Sequence, residues 1–245
     1  MLAIIGGSGL TRIAGFDVAQ SKTVDTPYGA PSSALTFGSI GGRELLFLAR
    51  HGDPHAISPH RINYRANLWA LREEGVEGVV AVATVGGIGA EFPPGALAVP
   101  DQIIDYTWGR ASTFFEDDGK PVTHVDFTEP YSSGLRERIL RAAAACGEPV
   151  HDGATYAATQ GPRLESAAEV LRLARDGADL VGMTGMPEAG LARELGLQYA
   201  AIAVVVNHAA GQGDSAREIS HQQMARVLDS SMARVCRVIE RLVAG

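Results

Sequence analysis

Four short stretches of the chain combine residue types that can hold an anion or read a planar ring. Gly6-Gly-Ser-Gly-Leu10 is built of small residues, so backbone N–H groups can approach an anion closely, and Ser8 adds a hydroxyl donor. Arg50-His51-Gly-Asp-Pro-His55 offers a guanidinium fork and a ring N–H, a pairing suited to phosphate. Thr84-Val-Gly-Gly-Ile-Gly89 is a second glycine-rich segment that follows an apolar run. Val205-Val-Asn207-His208-Ala-Ala-Gly211 carries an amide whose donor and acceptor lie in one plane, as reading a purine edge requires.

Each stretch also has a plainer reading, as a tight turn or a solvated loop, and several familiar chemistries fail on spacing. The third glycine of a dinucleotide fingerprint falls at Arg12 in the first glycine segment and at Phe92 in the second. No Gly-Lys-Ser/Thr follows, so the P-loop fails as well. A nucleophile elbow around Ser8 needs glycine where Leu10 stands. His51 and His55 are four apart, but Pro54 and Pro59 break any helix that would align them, and no cysteine or glutamate completes a zinc set. No metal and no organic cofactor is expected.

The elements that must position these stretches are short apolar strands alternating with helices. Strands are expected over 2–5, 34–37, 44–49, 79–83, 97–104, 154–159, 180–183 and 199–206. Val79-Val-Ala-Val-Ala83 and Ala200-Ala-Ile-Ala-Val-Val-Val206 are nearly unbroken apolar runs, as strands covered on both faces are. Helices are expected over 62–74, 133–146, 165–176, 187–195 and 219–243, with Pro187 suiting the first turn of the fourth. In the last helix Met224, Val227, Leu228, Met232, Val235, Ile239 and Leu242 share one stripe. Arg226, Asp229, Arg234, Arg237 and Arg241 read as its solvated face. The fold class that follows is α/β: a single domain over 1–245 with a central mixed twisted sheet flanked by helices. Residues 107–130 lack periodicity, and Thr113–Gly119 reads as a mobile loop that could cover a site or touch a neighbouring subunit.

The chain has 245 residues, 46% of them hydrophobic and 20% charged, an ordinary globular balance. Its net charge of −7 argues against a nucleic-acid binder, which would carry a basic stripe. All cations except Lys22 and Lys120 are arginines, good holders of small anions. Cys146 and Cys236 fall in apolar helical patterns and read as buried thiols. The start reads as a first strand, not a signal peptide, and no run is long enough to span a bilayer, so a cytoplasmic protein without membrane partners is expected.

In their order along the chain, several segments closely resemble the methylthioadenosine phosphorylase family, the trimeric branch of the purine nucleoside phosphorylases. They are residues 6–10, Val-Asp-Thr-Pro-Tyr-Gly-x-Pro (24–31), Leu-Ala-Arg-His-Gly (48–52), Asn-Tyr-Arg-Ala-Asn-x-Trp-Ala-Leu (63–71), Thr-Gln-Gly-Pro-Arg-Leu-Glu (159–165) and Gly-Ala-Asp-Leu-Val-Gly-Met-Thr-Gly-Met-Pro-Glu (177–188). The resemblance implies a nucleoside phosphorylase-like fold and phosphorolysis of a purine nucleoside, with phosphate as co-substrate and a homotrimer as the assembly. It implies that Ser8, Arg50, His51 and Thr184 meet phosphate, with backbone help around Ala83 and Thr84. Met183 is implied to pack on the ribose and Leu164 to lie near the base. His124, in Thr-His-Val-Asp-Phe-Thr-Glu-Pro (123–130), is implied to reach the 5′ end from an adjacent subunit.

Residues 207–209 depart from this pattern. Adenine-specific members resemble Asp-x-Asp there, whereas this chain has Asn207-His208-Ala209. A carboxylate only accepts and suits a 6-amino group; an amide can donate to O6 and accept from a protonated N7. Hypoxanthine is therefore expected over adenine. A subset of bacterial enzymes that this chain resembles combines the methylthio-type scaffold with the asparagine and acts on S-methyl-5′-thioinosine, which is the substrate expected here. At the 5′ end Met224 offers an apolar surface while His221 could bond a 5′-hydroxyl, which keeps inosine or guanosine open; methylthioadenosine is the other alternative. Glu165 can tune specificity or simply start a helix. From other classes, the alternatives are a non-catalytic nucleoside-binding protein and a nicotinamide dehydrogenase; the anion-holding residues oppose the first and the failed glycine spacings the second.

Overall fold

The longest apolar runs form the middle of one mixed sheet of eleven strands. The structure, a computed structural model, describes residues 1–10, 13–116 and 122–245. Leu2–Gly6 (β1) pairs in parallel with Arg43–Ala49 (β4) on one side and Gly78–Gly87 (β5) on the other. The other edge of β5 pairs in parallel with Gln198–His208 (β11). Thr155–Ala158 (β9) lies between Gln102–Asp105 (β7) and Leu180–Gly182 (β10), parallel to both, and β10 joins the end of β5 antiparallel through Gly86 and Gly87. Leu97–Val99 (β6) and His151–Asp152 (β8) extend the sheet from β11. Asp17–Lys22 (β2) and Leu35–Ile40 (β3) extend it beyond β4.

Alternation along the central strands divides the core between two faces. Ile4, Val80, Val82 and Ile202 pack against Leu135 and Ile139 of Ser133–Ala145 (α2) and against Met232, Val235 and Ile239 of His221–Ala244 (α5). Their neighbours Ala3, Ile5, Val79, Ala81 and Ala201 face Leu68 and Leu71 of Tyr64–Glu73 (α1) and Leu191 of Gly185–Glu194 (α4). Helices on both faces explain why these strands read as unbroken apolar runs. The fifth helix, Ala167–Arg175 (α3), packs Val170 and Leu173 beside Ala157 and Val181.

Several expectations need correcting. The exposed strand β2 has no buried face and so carries no period-2 signal. The run expected over 97–104 is two strands, because Pro100 has no N–H to give a ladder. The glycine-rich segment from Thr84 is strand as far as Gly87, not a turn. A Cβ on Gly87 would stand 1.9 Å from the Phe92 carbonyl oxygen, so glycine is there for close approach within the sheet. Arg234 and Arg237 are not simply solvated: both bond Glu148, and Arg234 Nη1 also donates to the Gly95 carbonyl at 2.6 Å. Cys146 and Cys236 are free and only half-buried. The loop expected over 113–119 runs outside the described residues from 117 on, and Arg12 lies outside them too. Among the described residues no helix is long and apolar enough to cross a membrane.

Candidate active site

The strand ends that carry the polar motifs converge on one cavity at the C-terminal ends of β1, β4, β5, β10 and β11. A crevice beyond the carboxyl ends of strands is where α/β sheets hold ligands. Its lining includes Ser8, Arg50, His51, Ala83, Thr84, Leu164, Glu165, Met183, Thr184, Asn207, Ala209 and Met224. Twelve residues singled out in the sequence, drawn from seven separate segments, therefore meet in one place.

Ser8, Arg50 and His51 are among the polar residues of this lining. Ser8 follows β1 in a turn closed by Leu10 N–H donating to the Gly7 carbonyl at 3.1 Å. Gly7 must be small, since a Cβ would come within 2.7 Å of the Val82 oxygen and 3.0 Å of Arg50 Nη1. Arg50 is 1% exposed. Its Nε donates to Glu188 Oε2 at 2.7 Å, Nη2 to Glu188 Oε1 at 2.9 Å and Nη1 to the Val82 carbonyl at 2.9 Å. Three of the five guanidinium N–H groups are thus committed, which leaves one on each Nη for a ligand. Burial presses the guanidinium toward its neutral form, but the charge and hydrogen bonds of Glu188 outweigh this and its pKa stands above the ordinary arginine value.

His51 departs from its sequence reading. Its Nδ1 lies 2.8 Å from the Ile57 carbonyl, an acceptor, so the ring N–H is spent there and the neutral ring keeps Nε2 as an acceptor. Burial first, and then the Arg50 charge, pushes the imidazole down to about 4. A ring of this kind suits a protonated phosphate oxygen. His55 does stack on it, at 4.3 Å between centroids, without needing a helix. Still, among the described residues no three His, Cys, Asp or Glu side chains group so as to hold a metal.

The depressed imidazole has a consequence for stability. Between the ordinary imidazole range and about pH 4 the unfolded chain takes up a proton that folded His51 refuses, so stability falls as pH drops through that window. Thermal melting from pH 7.5 to 4.5 should show a shallower loss in His51→Gln than in the parent; equal slopes would discard this account.

Asn207 and Glu165 line the same cavity. The β5–β11 register slips between Val205 and Asn207, leaving Val206 unpaired and Asn207 opposite Gly86. That bulge re-aims the amide at a site rim, a place bulges commonly occupy. Asn207 Nδ2 donates to the His208 carbonyl at 2.6 Å, which leaves one amide N–H and Oδ1 uncommitted. Glu165 is not a helix-start residue: α3 begins at Ala167, capped by Ser166 in a reciprocal box with Glu169. Instead Glu165 Oε1 accepts from Thr159 Oγ1 at 2.5 Å and the carboxylate stands on the cavity wall.

Three candidate residues are not on this wall. His208 is the next residue along β11 from Asn207, so it points to the opposite face, with its ring over Gly213. His221 is the exposed first residue of α5, one turn short of Met224. His124 is exposed and away from the cavity of its own chain. Sequence reasoning also missed residues. Pro59 and Ile219 add apolar lining. Glu188 closes the family-like segment 177–188, but one acidic residue within an otherwise apolar helix start carries no signal of the ion pair it makes with Arg50.

A family model for the phosphorylase superfamily matches residues 1–244. A protein of Pseudomonas syringae pv. tomato named as a probable S-methyl-5′-thioinosine phosphorylase is 51% identical, over 99% of this chain and 98% of its own. A 6-oxopurine nucleoside phosphorylase of Pyrococcus furiosus is 43% identical, over 97% of this chain and 90% of its own. Among solved structures, methylthioadenosine phosphorylase from Schistosoma mansoni in complex with adenine superposes with a TM-score of 0.94 at 31% identity, covering 99% of this chain and 90% of that one.

Proposed function

The chain belongs to the phosphorylase superfamily, and from that premise we propose that it catalyses phosphorolysis of S-methyl-5′-thioinosine to hypoxanthine and S-methyl-5-thioribose 1-phosphate, a step of purine salvage. The observation that carries this reading is that Asn207 and Glu165 both line the one cavity. A 6-oxopurine presents an acceptor at O6 and a donor at N1–H. An amide N–H and a carboxylate oxygen answer both. A 6-aminopurine presents a donor and a lone pair instead, and the lone pair at N1 would face a carboxylate. Met224 and Ile219 add apolar surface to the lining while His221 stands outside it, which favours a methylthio group over a 5′-hydroxyl.

In this scheme Ser8, Arg50, His51 and Thr184, with the backbone around Ala83 and Thr84, hold phosphate below C1′. Met183 packs on the ribose, and Leu164 and Ala209 flank the base. The N9–C1′ bond breaks with its electron pair passing to the purine, while a phosphate oxygen closes on the oxocarbenium-like C1′. N7 of the leaving purine takes a proton from solvent water, and Asn207 stabilises the base by donating to O6 and accepting from that N7–H. Catalysis is by position and electrostatics, with inorganic phosphate as co-substrate and no further group in the scheme.

The assembly proposed is a homotrimer. Trp108 is 72% exposed, and Phe115, Val122 and Val125 are exposed in the same stretch of chain as His124. A neighbouring copy seated there would cover apolar surface that water otherwise meets and bring His124 to the adjacent site. The compartment proposed is the cytoplasm.

The test is base release, with and without phosphate, from methylthioinosine, methylthioadenosine, inosine and adenosine. Phosphate-dependent hypoxanthine release fastest from methylthioinosine is expected. Preference for inosine would overturn the reading of the 5′ end, and preference for methylthioadenosine that of the base.

A further inference from the structure

Two stretches of the cavity wall, Thr159–Glu165 after β9 and Met183–Met186 after β10, come from different strands and must be held at a fixed spacing. One side chain outside the cavity lining spans them. Arg110 Nη2 donates to the carbonyls of Thr159 at 3.1 Å and Gln160 at 2.9 Å. Its Nη1 donates to those of Met183 at 2.8 Å and Met186 at 2.6 Å. Nε reaches Gln160 Oε1 at 3.2 Å, and the guanidinium lies over the Tyr64 ring, 5.6 Å from its centroid. A planar fork of five donors can satisfy four carbonyls of two segments at once; an ammonium, with three donors at one point, cannot reach the same spread.

What hangs on these carbonyls is the site itself. Thr159 Oγ1 fixes Glu165, and Met183 and Thr184 line the cavity. We infer that Arg110 is a positioning residue that sets the base-reading wall against the sugar and phosphate wall. Removing it frees both segments to move relative to one another, and a displacement of about 1 Å at reacting atoms costs on the order of 100-fold in rate. The role deepens the proposed phosphorolysis and rests on that reading of the two walls, while base binding tests it separately.

The experiment compares Arg110→Met and Arg110→Lys with the parent, measuring kcat and KM for methylthioinosine and methylthioadenosine, melting temperature, and calorimetric binding of hypoxanthine. Arg110→Met should lower kcat/KM for methylthioinosine about 100-fold and shrink the 6-oxo over 6-amino preference, with Arg110→Lys in between. General loss of stability would reduce both substrates alike, so an unchanged preference with an unchanged nucleoside KM overturns the inference, whatever the melting temperature does. Should Arg110→Met fail to fold, the same two readouts on Arg110→Lys decide. A parent that releases no base with phosphate would sink the phosphorolysis reading alone; weaker hypoxanthine binding by the variants would still support Arg110, and equal binding would overturn it.

Discussion

Asn207→Asp is expected to move the base preference from 6-oxo- toward 6-aminopurine nucleosides. The amide sits at the β5–β11 bulge with one N–H given to the His208 carbonyl, and in the proposed reading its remaining N–H and Oδ1 meet O6 and N7. A carboxylate cannot donate to O6 and repels it, but accepts readily from a 6-amino group. A mispaired buried group costs about 1–3 kcal/mol. The change penalises one substrate while it favours the other, so the ratio of kcat/KM for methylthioinosine over methylthioadenosine should fall by roughly 100-fold. The aspartate also loses the bond to His208 and must turn from that carbonyl, so a stability loss of about 1 kcal/mol should accompany the switch. Reversal in the single variant should be incomplete, because the Glu165 carboxylate still opposes the lone pair at N1 of adenine. Adding Glu165→Gln, whose amide can donate to N1, should carry the preference further. A ratio unmoved by both changes would mean that neither residue reads the base.

The two residues proposed to read the base differ in how far sequence alone could place them. Asn207 stands out because a polar pair ends an apolar run, and that is visible in one dimension. The bulge that aims it is not, since one unpaired valine among valines changes nothing in the pattern. Glu165 was ambiguous for a local reason: a glutamate beside a helix start is ordinary, and only the capping box of Ser166 and Glu169 shows that the helix begins without it. The glycines at 86 and 87 misled in the opposite way. Glycine pairs usually mark turns, but here they admit β10 and the Phe92 carbonyl against a strand that continues. That Arg50 and His51 could be proposed as phosphate contacts was legible from type and position. Which of their donors are free was not, because the acceptors that occupy them, Glu188, Val82 and Ile57, are set by tertiary packing.

Glu188 yields the largest stability effect expected in this molecule. Its carboxylate is fully buried and accepts three hydrogen bonds, two from Arg50 and one from Tyr199 Oη at 2.8 Å, with Tyr131 stacked on Tyr199 behind it. Truncation by Glu188→Ala leaves a guanidinium charged and unpaired in the interior, which typically costs about 3–5 kcal/mol. Glu188→Gln keeps the shape but supplies one acceptor where two are needed, and should fall between. Both changes let Arg50 turn from its present axis, so where the protein folds the KM for phosphate should rise more than the KM for nucleoside. A buried ion pair need not be a net source of stability, however. Replacing both partners with apolar residues of similar volume is often neutral or better. The double variant Arg50→Met, Glu188→Leu should therefore melt well above Glu188→Ala and yet show no phosphate-dependent turnover. In the proposed scheme that divergence separates two functions of the pair: Glu188 keeps a cation in a place where the fold alone would not tolerate one, and the cation holds the phosphate. If the double variant turned over substrate, Arg50 would not be the phosphate holder; if it were as unstable as Glu188→Ala, the unpaired charge would not be the cause of the loss.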